Sequence, residues 1–199
     1  LMISDLHNVC FGEDNEVLVK KIYQENPDGI LIGGDLLIGK PGVSVLPALS
    51  FVRQAVGCCP VYYSLGNHEY RMKVNPERFE HQYQRYEREL QKAGVILLEN
   101  QHITLKDKKT SVNIYGLELP MKYYERKRRH GLSQRELNLL LGKPEESAYN
   151  ILLAHNPRFT DAYLDWGADL ALSGHYHGGM VRLPFTNGLI SPYMTLFPK

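Results

Sequence analysis

The sequence predicts an α/β fold of alternating strands and helices, and three observations carry that expectation. Several short apolar runs end abruptly in polar or glycine-rich turns. Amphipathic stretches of helical period follow them. One later segment reads instead as an antiparallel hairpin. Strand–helix–strand alternation favours parallel strands joined by right-handed crossovers, with helices layered on the sheet.

Taken in order, Leu1–Ser4, Ile30–Ile32, Val61–Leu65, Ile151–Ala154 and Leu170–Ser173 are short, apolar and read as buried strands. Between them, Glu13–Glu25 puts Val17, Leu18 and Ile22 on one face, and Val45–Val56 and Glu77–Ala93 also read as helices. Asn75-Pro76 suits a cap followed by proline at the first helical position, and Gly94 suits a C-cap. His102–Lys106 and Ser111–Leu117 flank the charged Asp107-Lys108-Lys109 and read as the hairpin. A helix starts near Ser133, and Asp161–Trp166 is a short helix closed by Gly167. No repeat or low-complexity segment interrupts the pattern.

With 199 residues the chain suits one domain, by a prior of roughly 100–200 residues each. Apolar residues at 43% and charged residues at 23% are ordinary globular values, which excludes a disordered, coiled-coil or collagen-like chain. Lys+Arg number 23 against 22 Asp+Glu, so no overall basic field points to nucleic acid. Three cysteines, two of them the adjacent Cys58-Cys59, build neither a disulfide framework nor a zinc ribbon; the pair reads as core filler. No apolar run approaches the ~20 residues of a membrane span, and no signal-peptide pattern is present. The tyrosines around 83–86 and 123–124 read as amphipathic packing rather than base-stacking platforms.

The functional signal is where polar residues fall. Five apolar runs lead into Asp5-Leu6-His7, Gly34-Asp35, Gly66-Asn67-His68-Glu69, Ala154-His155-Asn156 and Gly174-His175-Tyr176-His177-Gly178. Carboxyl ends of strands are where open α/β sheets place their ligands. In extended backbone, residues i and i+2 project the same way, so Asp5/His7 and His175/His177 can each aim two donors at one point. The glycines allow sharp turns and close approach to an ion. Of the 8 histidines, His81, His102 and His130 lie outside these motifs.

The donors Asp5, His7, Asp35, Asn67, His155, His175 and His177 combine carboxylate, imidazole and amide oxygen without thiolate. That chemistry suits manganese, with iron or zinc as alternatives. Seven donors exceed one tetrahedral ion but fit two ions sharing a carboxylate. Ions held ~3.5–4 Å apart can clamp the attacking and leaving oxygens of a displacement at phosphorus, with an ionised bridging water as nucleophile. Each Asp-x-His or His-x-His taken alone also fits ordinary polar structure; the ordered set at strand ends carries the functional reading.

That set, from Asp5-x-His7 through Gly174-His175-x-His177, resembles the calcineurin-like metallophosphoesterases over residues 5 to about 179. The resemblance implies a four-layer α/β/β/α sandwich with a dinuclear centre at the strand ends. It implies Asp5, His7, Asp35 and His177 on the first ion, and Asp35, Asn67, His155 and His175 on the second, with Asp35 bridging. His68 resembles the family's non-ligand histidine, which contacts a phosphate oxygen or protonates the leaving group; a structural hydrogen bond is its alternative. Glu69 would orient it. The implied activity is hydrolysis of a phosphoester or pyrophosphate bond, the alternatives being a non-catalytic metal-binding scaffold or a nuclease of the same superfamily.

The stretches Ala154–Pro157 and Ser173–Pro184 look most like the bacterial branch of membrane-linked phosphohydrolases and UDP-diacylglucosamine pyrophosphatases. This implies a phosphorylated small-molecule or lipid-linked substrate. Arg71 superficially resembles the Ser/Thr protein phosphatases, but their Gly-Asp-x-x-Asp-Arg-Gly motif meets Ile38 and Gly39 here, which argues against that class. Residues 1–199 are expected to be one catalytic domain, incomplete at both ends: the first strand starts at its motif, and the chain stops soon after Pro192 and Pro198. The location expected is at a membrane, through a segment lost upstream, or in the cytoplasm. Lys122–His130 carries five basic residues and reads either as a solvated face or as a cap that meets an anionic substrate or lipid surface.

Overall fold

The computed structural model describes residues 1–125 and 130–177, together with the backbone of 181–182 and 188–190. The strands are β1 (Met2–Ile3), β2 (Ile30–Ile32), β3 (Val61–Tyr63), β4 (Ile96–Leu97), β5 (Gln101–Lys106), β6 (Ser111–Leu117), β7 (Tyr149–Ala154), β8 (Leu170–Leu172), β9 (Val181–Arg182) and β10 (Gly188–Ile190). The helices are α1 (Glu16–Glu25), α2 (Leu46–Ala55), α3 (Asn67–Lys73), α4 (Gln82–Ala93), α5 (Gln134–Leu141) and α6 (Thr160–Trp166). One sheet runs β1-β2-β3-β4, all parallel. The other runs β5-β6-β7-β8, with β5 antiparallel to β6 and the rest parallel. β9 and β10 pair as an antiparallel two-stranded unit.

Side-chain alternation along the strands builds four layers. In β2 and β3, Ile30, Ile32, Val61 and Tyr63 face α1, α2 and α4, while Leu31 and Tyr62 turn toward the second sheet. In β6 and β7, Ile114, Ile151 and Leu153 face inward between the sheets. Tyr115, Leu117, Leu152 and Ala154 face α5 and α6. Strands buried on both sides read as continuous apolar runs, which is why they were legible in the sequence. The expected α/β/β/α sandwich is what the chain forms.

Several local expectations need correcting. On α1 the buried face is Leu18, Val19 and Ile22, while Val17 is half exposed and hydrogen-bonds back to Phe11 through its N–H. The helix expected from Glu77 is instead a 3-10 turn at Glu77–Phe79, then Glu80 and His81 at positive φ, and only then α4. This break lets Tyr83, Tyr86 and Leu90 bury at helical spacing. Gly94 closes α4 at φ 90° and Gly167 closes α6 at φ 117°, as expected. Ser133 and Glu136 form a reciprocal capping box on α5. Helix α3, with its polar Asn-His-Glu start, was not anticipated.

The run Arg126, Lys127, Arg128 and Arg129, the residues Gly178, Gly179 and Met180, and the prolines Pro192 and Pro198 lie outside the described residues. Among the described residues, no helix is long and apolar enough to cross a membrane.

Candidate metal centre

The loops leaving β1 and β2 run side by side. Asp5 N–H donates to Gly34 O, His7 N–H to Asp35 O and Asn8 N–H to Leu36 O. This ladder places Asp5 and His7 beside Asp35, and two loops from the second sheet approach from across the sandwich. His155, directly after β7, directs Nδ1 to Gly33 O at 2.7 Å. His175 donates its backbone N–H to both Asp5 oxygens at 3.0 Å.

The paired donors do not converge through extended backbone, as the sequence had suggested. Asp5, His7, Asp35, His175 and His177 all lie at positive φ, between 47° and 69°. Left-handed single residues tighten each loop into a turn. For non-glycine residues this costs of order 1–3 kcal/mol each, a strain that collects at functional sites. Glycines permit the remaining close approaches: a Cβ on Gly66 would sit 2.2 Å from Asp35 Oδ1, and one on Gly174 would sit 2.3 Å from Asp5 Oδ2.

Two clusters of the expected ligands result, and a third group joins His7 and Asp35 to His68; the donor atoms within each group lie within 4.8 Å of one another. In the first, His177 Nε2 is 3.2 Å from Asp5 Oδ1 and 3.0 Å from His7 Nε2. In the second, Asp35, His155 and His175 converge, and His155 Nε2 lies 3.0 Å from Asp35 Oδ2. Asp35 Oδ1 is occupied by the His68 backbone N–H at 2.9 Å. Oδ2 therefore faces both clusters, at 3.8 Å from His7 Nε2 as well. His7, Asp35, His175 and His177, with Asn67, His68 and Tyr176, line an open cavity of about 250 Å³. A larger cavity, about 570 Å³, lies around Asn150, Trp166 and Asp169, at the opposite end of β7 and β8.

The polar atoms fit divalent cations. Asn67 Oδ1 is buried without a hydrogen-bond partner, and an unpaired buried polar atom is costly enough to need a reason. With Nδ1–H of His155 given to Gly33 O, the neutral ring has its lone pair at Nε2, the form a cation would select. Burial pushes the Asp35 carboxyl up, but the neighbouring His155 and His68 more than offset this and hold it low. Burial pulls His155 down, but Asp35 and Asp5 raise it to about 9. An anionic bridge amid imidazoles is the pattern that cations complete.

His68 stands beside both His7 and Asp35, its Nε2 3.9 Å from Asp35 Oδ2. Its Nδ1 accepts the Gly39 N–H at 2.9 Å and lies 3.1 Å from Arg71 Nη2, which also donates to Gly39 O. Burial lowers His68 to about 4, with Asp35 opposing and Arg71 reinforcing. Glu69 does not orient His68, contrary to expectation. It turns inward and accepts N–H groups from Asp35, Leu36, Leu37 and Gly66 and the Tyr63 hydroxyl. Burial, then the Asp35 charge, pushes Glu69 up to about 7, yet every partner is a donor, so the carboxylate is the form that fits. Sequence reasoning weighed Arg71 and Gly39 only against the protein-phosphatase motif and did not place them against His68. The i, i+3 spacing of His68 and Arg71 was the available signal, had α3 been recognised. Tyr124, 5.3 Å from the His175 ring, was also missed as a site neighbour. His81 starts α4, His102 stacks on Tyr115, and His130 meets Tyr123.

A family model for calcineurin-like phosphoesterases matches residues 1–179, which include every donor above. The chain belongs to the calcineurin-like phosphoesterase family. Its relatives in that family include the uncharacterized metallophosphoesterase YkoQ of Bacillus subtilis, 30% identical over 92% of this chain and 62% of the relative. Another is the phosphodiesterase YaeI of Escherichia coli, 25% identical over 96% of this chain and 65% of the relative. The chain thus spans less than two thirds of the length of these curated relatives. The crystal structure of the phosphopantetheinyl hydrolase PptH from Mycobacterium tuberculosis superposes with TM-score 0.57 at 15% identity, over 94% of this chain and 87% of that one. At that identity the likeness supports the calcineurin-like fold alone.

Proposed function

We propose that this chain is the catalytic domain of a metal-dependent phosphohydrolase with a dinuclear centre. The observation that carries the reading is Asp35. One oxygen is tied to backbone, and the other stands between two donor clusters. In this assignment Asp5, His7, Asp35 and His177 hold one cation, and Asp35, Asn67, His155 and His175 hold the other. Manganese suits the donors best, with iron or zinc as alternatives. When bound, the cations supply Lewis acidity and an ionised water for attack at phosphorus.

The chain's own residues do the rest. The neutral lone pairs of the histidines and the two carboxylates fix the geometry, Asn67 contributes an amide oxygen, and His68 presents Nε2 to the substrate. The phosphodiesterase relative supports an ester of phosphoric acid as the substrate class. A non-catalytic scaffold of this fold is disfavoured by the presence of all seven donors.

The test is elemental analysis of the purified chain, followed by assay against phosphomonoesters, phosphodiesters and nucleoside-diphosphate lipids. Two equivalents of transition metal with metal-dependent hydrolysis are expected. Absence of metal binding, or of hydrolysis by the metal-loaded chain, would overturn the reading.

A further inference from the structure

The donors assigned above to the second cation come from both sheets. Asp35 and Asn67 belong to the first, through the β2 loop and the start of α3, while His155 and His175 follow β7 and β8 of the second. Asn67 Oδ1 is buried and unpartnered, so the seat of α3 decides whether that oxygen meets the other three donors. Two side chains tie the helix to the loops of the first sheet: Glu69 accepts the Asp35 N–H, and Arg71 donates to Gly39 O. Lys73, in the last turn, reaches the other way. Its ammonium donates to Glu118 Oε2 at 2.7 Å and lies 3.1 Å from Glu99 Oε2. Glu118 directly follows β6, whose Leu117 is in register with Ala154 of β7, the residue before His155. Its own N–H is held by Asn100 Oδ1 at 2.8 Å. Glu99 lies on the crossing from β4 to β5, from one sheet to the other, and accepts the Tyr83 hydroxyl.

This contact is partly shielded from water, which protects it from the salt screening that weakens surface pairs. Burial pulls the Lys73 ammonium down, but Glu118 and Glu99 more than offset this and raise it. Burial pushes the Glu118 carboxyl up; Lys73 opposes that, and Glu99 and Glu87 reinforce it. One ammonium thus holds together carboxylates that repel one another without it. We propose that Lys73 is a positioning residue for the second cation: its grip on Glu118 and Glu99 sets α3 against the second sheet, so that Asn67 meets the cation held by His155 and His175. This rests on the dinuclear reading above. Lys73 acts through Asn67, at the other end of the same helix.

The full chain, stripped of metal and titrated with manganese(II) by calorimetry, tests this as a double-mutant cycle. Asn67→Ala marks which binding event belongs to the second cation. Lys73→Met should weaken that event by about tenfold, the lower end for residues that support metal ligands, and leave the other unchanged. Lys73→Arg, which keeps the charge, should bind as wild type does. In the Asn67→Ala background, Lys73→Met should weaken the event no further, because residues that act through one another are not additive. The same loss with Asn67 already removed, equal loss at both cations, or no loss would overturn the proposal. Should Lys73→Met fail to fold, Glu118→Gln enters the same cycle with the same expected and overturning outcomes. A wild-type chain that binds fewer than two equivalents would overturn the dinuclear reading, and the proposal with it, before any variant is compared.

Discussion

Glu69 and Asp35 hold each other through the backbone: Glu69 Oε2 accepts the Asp35 N–H at 2.9 Å, while Asp35 Oδ1 accepts the N–H of His68, the residue before Glu69, at 2.9 Å. The β2 loop and the start of α3 are thereby stapled by two buried carboxylates of different purpose. Glu69 has all its contacts to donors and is fully buried. Asp35 keeps one oxygen for the cavity. The fold thus spends a buried charge on structure so that a second one can be aimed.

Asp35→Asn is expected to remove most bound metal, because a carboxylate shared by two cations also offsets their mutual repulsion. Elemental analysis after dialysis checks this. Retention of two metals with near-wild-type turnover would take Asp35 out of the bridging role.

Glu69→Gln keeps the shape but turns an amide N–H₂ toward backbone donors. One or two buried N–H groups then lose their acceptor, at about 1–3 kcal/mol each, so a stability loss of about 3 kcal/mol is expected. Urea denaturation of the metal-free chain reads it. An unchanged midpoint would show that the staple contributes nothing to folding.

Gly66→Ala separates backbone freedom from space. Gly66 sits at φ −92°, which alanine adopts readily, but the added Cβ would lie 2.2 Å from Asp35 Oδ1 and 2.5 Å from its nitrogen. The variant should keep its secondary structure by circular dichroism and lose most bound metal. Full metal content would mean that the Asp35 loop moves aside without consequence.

Replacing Arg126, Lys127, Arg128 and Arg129 by serine should weaken binding to anionic vesicles by at least about tenfold, since each basic residue near such a surface contributes about 1 kcal/mol. Hydrolysis of a small soluble ester should be unchanged. The segment follows Tyr124, whose ring lies 5.3 Å from that of His175. Equal vesicle binding would return the run to a solvated face.

The residues now gathered at the cavity were legible in the chain because chemistry and position coincided there. Asp, His and Asn close apolar runs too short and too apolar to be anything but buried strands, and strand ends share one edge of a parallel sheet. The layers were legible for the same reason, since Ile30–Ile32 and Val61–Tyr63 are continuous apolar runs, as strands covered on both faces must be. How the donors converge was not. The left-handed turns at Asp5, His7, Asp35, His175 and His177 cost energy locally and persist only because neighbouring loops hold them. Glu69 gave the same lesson: adjacency to His68 suggested a partner, while its five donors come from β3, the β2 loop and Gly66. Burial pattern and side-chain chemistry are local properties that a sequence carries. Strain, tautomer and the direction of a buried carboxylate depend on groups that only the folded chain brings within hydrogen-bonding reach.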